Sequence, residues 1–250
     1  MNTTPFHSIA AHIKGLAVIA LVTAASAHAQ LVNPGFETGL TGWTVLNQAG
    51  GSGGWFTQIG TGSPLNGFGV PAPVEGTFAA MTDQGGPGSH VLFQDFVVPV
   101  GVAAANLSFN YSILNQAGTF SSPASLDFLT NPNQQFRVDI ITTGADPFSV
   151  AGVDVLVNLF QTNPGDPATS GYSLVSTDLT SLFQAHEGET LRLRFAEADN
   201  QLFFAAGVDD VQLTTRIGAV PEPSTYGLFG AAALAGLITW KRSRRKTQVL

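Results

Sequence analysis

The 250-residue chain contains no cysteine, which excludes disulfides, thiolate nucleophiles and cysteine-ligated zinc or iron–sulfur centres. Its formal charge of −7 is unevenly placed: residues 30–217 hold sixteen carboxylates against four arginines (Arg137, Arg192, Arg194, Arg216) and no lysine, leaving −12 there, while five of the ten basic residues fall between Lys241 and Lys246. So acidic a stretch repels nucleic acid and anionic lipid and attracts divalent cations, so a nucleic-acid partner is not expected.

The N-terminus reads as a secretory signal peptide over residues 1–29. His7, His12 and Lys14 give a weakly basic start, Gly15 to Ala25 an apolar core, and Ala27-His28-Ala29 a small-x-small cleavage site before Gln30. The partners this implies are the Sec machinery and signal peptidase.

Residues 30–217 are enough for one domain with its own core. Val91 to Val98 is apolar on both sides except at Gln94 and Asp95, and reads as a central strand. Leu107, Phe109, Tyr111 and Ile113 alternate with polar residues, as do Phe136, Val138 and Ile140 with Arg137 and Asp139. Val153, Val155, Val157 and Leu159 form a further apolar face. So do Leu191, Leu193 and Phe195, which put Arg192 and Arg194 outward. Alternation with a period of two gives each strand one dry face, the pattern of two sheets packed together. Turn clusters separate the strands at Gly50–Gly54, Gly60–Gly69, Gly85–Gly88, Ser121–Asn133 and Asn163–Gly171. Ser176 to Gln184 is the one short helix expected, with Asp178 as its cap and Leu179, Leu182 and Phe183 on one face. The predicted fold is all-β, a single antiparallel β-sandwich of jelly-roll type.

After a linker at residues 218–225 comes an apolar run, Tyr226 to Trp240, and then a basic tail, residues 241–250. As a helix the run spans roughly 22 Å, short of the ~20 residues a full crossing wants. Trp240 at the interface and outward-reaching Lys241 and Arg242 make up the difference, so a single transmembrane helix over 226–240 with a cytoplasmic tail is expected. The order of Pro221-Glu222-Pro223, apolar helix and arginine-rich tail resembles the PEP-CTERM sorting signal of Gram-negative bacteria. That resemblance implies recognition by an exosortase, with the three motif residues as substrate. It also implies passage from an inner-membrane-anchored state to the cell surface or an exopolysaccharide-rich extracellular matrix.

Asn33-Pro34-Gly35-Phe36-Glu37 through Gly42-Trp43 resembles the opening of galactose-binding-like jelly rolls, including carbohydrate-binding modules. Gly207-Val208-Asp209-Asp210-Val211-Gln212-Leu213 resembles their closing strand. Asp209 shares the strand parity of Val211 and Leu213 and is expected inward or at the sheet edge, where a carboxylate needs a partner. By that resemblance the partner would be a structural Ca²⁺ held by Glu37 and Asp209; the competing reading has Asp209 accept backbone N–H groups and Glu37 cap a turn.

Trp43 and Trp55 are the only tryptophans of the exported part. Trp55, at the exit of a glycine loop, is the candidate for stacking against a sugar ring, with core packing as the alternative for both. Catalysis finds no carrier. His90 and His186 lack a serine or acid signature, the helical His-Glu zinc motifs are absent, and Asp209-Asp210 and Glu187-x-Glu189 read as strand-end and turn residues. The expected role is a non-enzymatic structural or interaction one in the matrix. Exopolysaccharide binding is the alternative, and glycan hydrolysis by a carboxylate pair the weaker one.

Overall fold

A computed structural model describes residues 31–218 and 223–246. The expected signal peptide and the motif residues Pro221 and Glu222 lie outside the described residues. In chain order the elements are β1 (Glu37–Leu40), β2 (Thr44–Asn47), β3 (Gly54–Ile59), β4 (Phe78–Asp83), β5 (Gly88–Val97), β6 (Val102–Asn115), β7 (Gln134–Thr142), β8 (Val155–Gln161), β9 (Thr169–Asp178), α1 (Thr180–Ala185), β10 (Thr190–Asp199), β11 (Phe204–Ile217) and α2 (Pro223–Lys246). Strands β2 to β11 build two five-stranded sheets, ordered β2-β5-β10-β7-β8 and β3-β4-β11-β6-β9, with antiparallel pairing throughout. The two-sheet, all-β expectation is met.

The alternating runs explain why the sheets face each other. Leu92 and Phe96 of β5, Leu107 and Phe109 of β6, Phe136 and Val138 of β7, and Leu193 and Phe195 of β10 all enter one core. Phe195 is its hub, with ring centroids 5.5 Å from Phe109, 5.7 Å from Trp43 and 6.4 Å from Trp55. Inward Gln94 is a polar exception with a purpose. Its amide accepts the Val32 N–H and donates to the Val32 and Gly42 carbonyls, so it ties the incoming chain to the sheet.

Two expectations on strand and helix limits shift. Val153 is 85% exposed and precedes β8, which starts at Val155. The short helix starts at Thr180 because Ser176–Asp178 completes β9; Asp178 Oδ1 accepts the Thr180 N–H, and Leu179 and Phe183 are buried as expected.

Arg194 is the larger surprise. Its side chain leaves the core, as the alternation says, but is fully buried beneath the 143–154 loop. Nη1 donates to the Pro147 and Ser149 carbonyls, and Nη2 donates to Asp139 Oδ2. Asp139 also takes a bidentate fork from Arg137 and the Asn158 amide, so the outer face of this sheet carries a buried Arg–Asp–Arg ladder.

Candidate functional site

The opening motif folds into a self-bonded turn. Asn33 and Phe36 take left-handed backbone angles (φ 50° and 58°), which let the Asn33 amide donate to the Gly39 and Thr41 carbonyls while its own carbonyl receives the Trp43 indole N–H. This fixes Glu37, whose carboxylate accepts the N–H groups of Thr77 and Phe78. Gly76, at φ 60°, makes that possible: a Cβ there would collide with the Glu37 carboxylate.

Asp209 grips the same segment from the other side. Its Oδ2 accepts the Val74 and Glu75 N–H groups and its Oδ1 the Asp210 N–H, and the residue is fully buried. The parity expectation for Asp209 is corrected by a bulge between Asp209 and Gln212, where Asp210 has φ 49°. Asp209 therefore pairs with Asn110 on the outer side of its sheet, under residues 74–77, while Val211 turns into the core. Glu37 and Asp209 thus form a two-handed latch on residues 74–78. Glu37 Oε1 and Asp209 Oδ2 each accept two N–H groups and have no lone pair to spare for a cation; Glu37 Oε2 and Asp209 Oδ1 each accept one. The neighbouring Asp210 raises the Glu75 carboxyl above its ordinary range, with burial, Asp209 and Glu37 adding to it.

Trp55 is corrected as a stacking platform. It is 4% exposed and packs against Phe136 and Phe195. Its register partner on β4 is Thr82, and that pairing turns the indole between the sheets and its neighbour Phe56 away from them. Trp43 is core, as its alternative reading has it.

At the end of the sandwich near Trp55 the space between the sheets turns polar. On β10 the inward series Leu191, Leu193, Phe195 continues to Glu197 and Asp199; on β5 the series Phe96, Gln94, Leu92 continues to His90. Register places His90 directly opposite Glu197, and Gly88 opposite Asp199. One ligating atom from each of His90, Glu197 and Asp199 lies within 4.8 Å of the others, and all three residues are buried.

Their hydrogen bonding is incomplete. His90 Nδ1 is 2.9 Å from Asn47 Oδ1 and Asp199 Oδ1 accepts the Gly88 N–H, but His90 Nε2 and both Glu197 oxygens have no hydrogen-bond partner. Nε2 stands 4.0 Å from Glu197 Oε2. The amide of Gln84, on the loop after β4, and the Trp55 indole N–H are also unpaired and buried. Burial pushes the Asp199 carboxyl up to about 7 against the Gln84 amide and the Gly88 N–H, and pushes His90 down to about 4 against the nearby Ser52 carbonyl. Burial, helped by Asp199, raises Glu197 well above the carboxylate range. Asp199 also lines a surface pocket of about 180 Å³ with Gly85–Pro87 and Asn200–Phe203, whose Phe203 ring packs 5.7 Å from Phe68.

Sequence reasoning overlooked this cluster, although the signal was there. Two further steps along the Leu191–Phe195 alternation put a Glu and an Asp on the dry face, and one step back from Leu92 puts a histidine there.

Beyond the sandwich, α2 runs past the expected 226–240 at both ends and carries exposed Phe229, Leu234, Leu237, Ile238 and Trp240. Among the described residues no helix is long and apolar enough to cross a membrane. Glycines and alanines dilute the apolar run, and basic residues occupy the last turns.

The family model of the PEP-CTERM protein-sorting motif matches residues 219–245. The chain carries a PEP-CTERM sorting signal. The signal implies export and exosortase processing, and it covers the linker end and nearly all of α2.

No curated protein matches the chain. Among solved structures it is similar to the carbohydrate-binding module TmCBM61 in complex with beta-1,4-galactotriose (12% identity, 76% of this chain, 100% of that one, TM-score 0.45). It is also similar to the K3 cleaved adhesin domain of Lys-gingipain from Porphyromonas gingivalis (17%, 76% and 99%, TM-score 0.47) and to a cyclase from Fischerella sp. TAU (19%, 78% and 100%, TM-score 0.45). Likeness at that level leaves function open.

Proposed function

We propose that this is a cell-surface or extracellular-matrix protein with a non-enzymatic structural or interaction role, delivered by its PEP-CTERM signal. The observation that carries the reading is the sorting motif at 219–245 behind an acidic, lysine-free β-sandwich. In this reading α2 is the transient anchor: its apolar side chains enter the inner membrane and its basic tail stays cytoplasmic. The exosortase then acts near Pro221-Glu222-Pro223. Intact-mass analysis of the native protein tests it. A C-terminus near residues 220–225 is expected, whereas a chain still ending at Leu250 in the surface fraction would leave only a membrane anchor.

The pocket beside Asp199 favours exopolysaccharide binding as a second reading. It brings the Phe203 ring and the Gln201 amide to one opening, the pairing of apolar face and amide that sugars use, while the Asn200 amide is spent on the Phe128 and Thr130 carbonyls. A glycan array in which the wild type binds and Phe203→Ala does not would support it; silence of both leaves the structural role. The calcium reading of the latch rests on Glu37 Oε2 and Asp209 Oδ1, and a calcium titration without change in Tm would dispose of it.

A further inference from the structure

We propose that His90, Glu197 and Asp199 form a binding site for one first-row divalent cation, Zn²⁺ or Mn²⁺, which clips the neighbouring strands β5 and β10 together at the polar end of the sandwich. Nothing in the sorting reading requires this site, and it stands or falls apart from it.

Burial without hydrogen-bond partners singles these side chains out. A buried carboxylate with neither oxygen bonded is among the costliest arrangements a fold can hold, and here it faces an imidazole nitrogen that is also unbonded. The two are 4.0 Å apart, too far to satisfy each other and well placed to share a third atom. Ligands at 2.0–2.2 Å from a tetrahedral ion stand about 3.3–3.6 Å apart, so the three donors, already within 4.8 Å, need only small side-chain rotations to close.

The surroundings are those of a ligand set. Nδ1 stands 2.9 Å from the Asn47 amide oxygen; in the tautomer with the proton on Nδ1, Nε2 carries the lone pair that would ligate the ion. A histidine held through its far nitrogen is the usual second layer of a metal site. Asp199 spends one oxygen on the Gly88 N–H, which orients it in the same way. Gly88 is itself required, because a Cβ there would run into the His90 ring and the Ser52 carbonyl. The buried Gln84 amide, on the loop after β4 of the opposite sheet, lies beside Asp199, and water would fill the fourth position of the N,O,O shell.

Donor chemistry selects the ion. An imidazole with carboxylates suits zinc or manganese, whereas calcium and magnesium prefer all-oxygen shells. The pocket against Asp199 gives the ion a way in. A cysteine-free exported domain has no disulfide to close this end, and a bound ion does that work instead.

The test uses the full chain in detergent, stripped with a chelator, with Zn²⁺ and Mn²⁺ as probes in calorimetric and thermal titrations. One equivalent bound per chain and a Tm rise of about 5–10 °C at hundred-fold excess over Kd are expected. Glu197→Gln keeps the shape and removes the acid, so it should fold and lose both effects; His90→Gln should do the same. Asp95→Asn, at an exposed carboxylate outside the cluster, should keep both. X-ray absorption of the zinc-loaded wild type, independent of any variant, should show one imidazole among oxygen ligands. Absence of stoichiometric binding, binding unchanged in both Glu197→Gln and His90→Gln, or a spectrum without imidazole would each overturn the proposal.

Discussion

Replacing Asp139 with asparagine is expected to destabilise the domain by about 3–5 kcal/mol, read as a fall in the chemical-denaturation midpoint at unchanged slope. The size follows from what is left behind. Arg194 is fully buried and stays charged, and among the described residues Asp139 is its only carboxylate hydrogen-bond partner. Its remaining contacts are the Pro147 and Ser149 carbonyls, which orient the guanidinium without neutralising it. The same loop is held by those bonds, so protease cleavage between residues 143 and 154 should rise in the variant. By contrast Arg192→Ala removes a half-exposed ion pair with Asp95 and a stacking contact 4.0 Å over Phe93, and should cost no more than about 1 kcal/mol.

The same site fixes a pH dependence. Burial pushes the Asp139 carboxyl up, but the Arg137 hydrogen bond and the Arg194 and Arg137 charges outweigh it and hold the group below its ordinary 3.8. A carboxyl depressed in the folded state adds stability that is complete above the unfolded value and is lost as pH falls through the folded one. Wild type should therefore lose stability on acidification below pH 3.8 with a slope that Asp139→Asn lacks.

How much of this was readable in advance divides along physical lines. Periodicity found the strands, since Leu107 to Ile113, Phe136 to Ile140 and Leu191 to Phe195 are local facts of β6, β7 and β10. Burial of the outward face was not readable, because it depends on a loop: nothing near Arg194 in sequence says that Pro147 and Ser149 will lie over it. Asp209 escaped for a different reason. One left-handed residue, Asp210, resets the alternation, and no side-chain pattern announces a bulge. Trp55 depended on register, since Trp55 and Phe56 are adjacent aromatics and only pairing with Thr82 decides which goes inside. For His90, Glu197 and Asp199 the inward direction was legible, but their meeting was not. It requires β5 and β10 to be neighbours with His90 opposite Glu197, a long-range fact that neither strand encodes alone.

Truncating Phe195 to alanine is the second large effect expected, about 3–5 kcal/mol, or roughly 6–20 °C in Tm for a domain of this size. The ring is fully buried and touches Trp43, Trp55 and Phe109, the last edge-on at 81°. Its loss opens a cavity against rigid aromatics of the opposite sheet and of the β1–β2 turn, and Trp43 and Trp55 cannot collapse into it without leaving their own contacts with Phe36 and Phe136. The position also tests whether the polar end is coupled to the core. Phe195 is two residues from Glu197 on the same face, and Trp55 packs against it with its indole N–H unpaired. Loosening Phe195 should therefore let Trp55 relax, seen as a red shift of tryptophan emission before the global transition. A Phe195→Leu variant fills most of the volume and should recover more than half of the lost stability. If it recovers none, ring geometry rather than buried area is what holds the two sheets at this point.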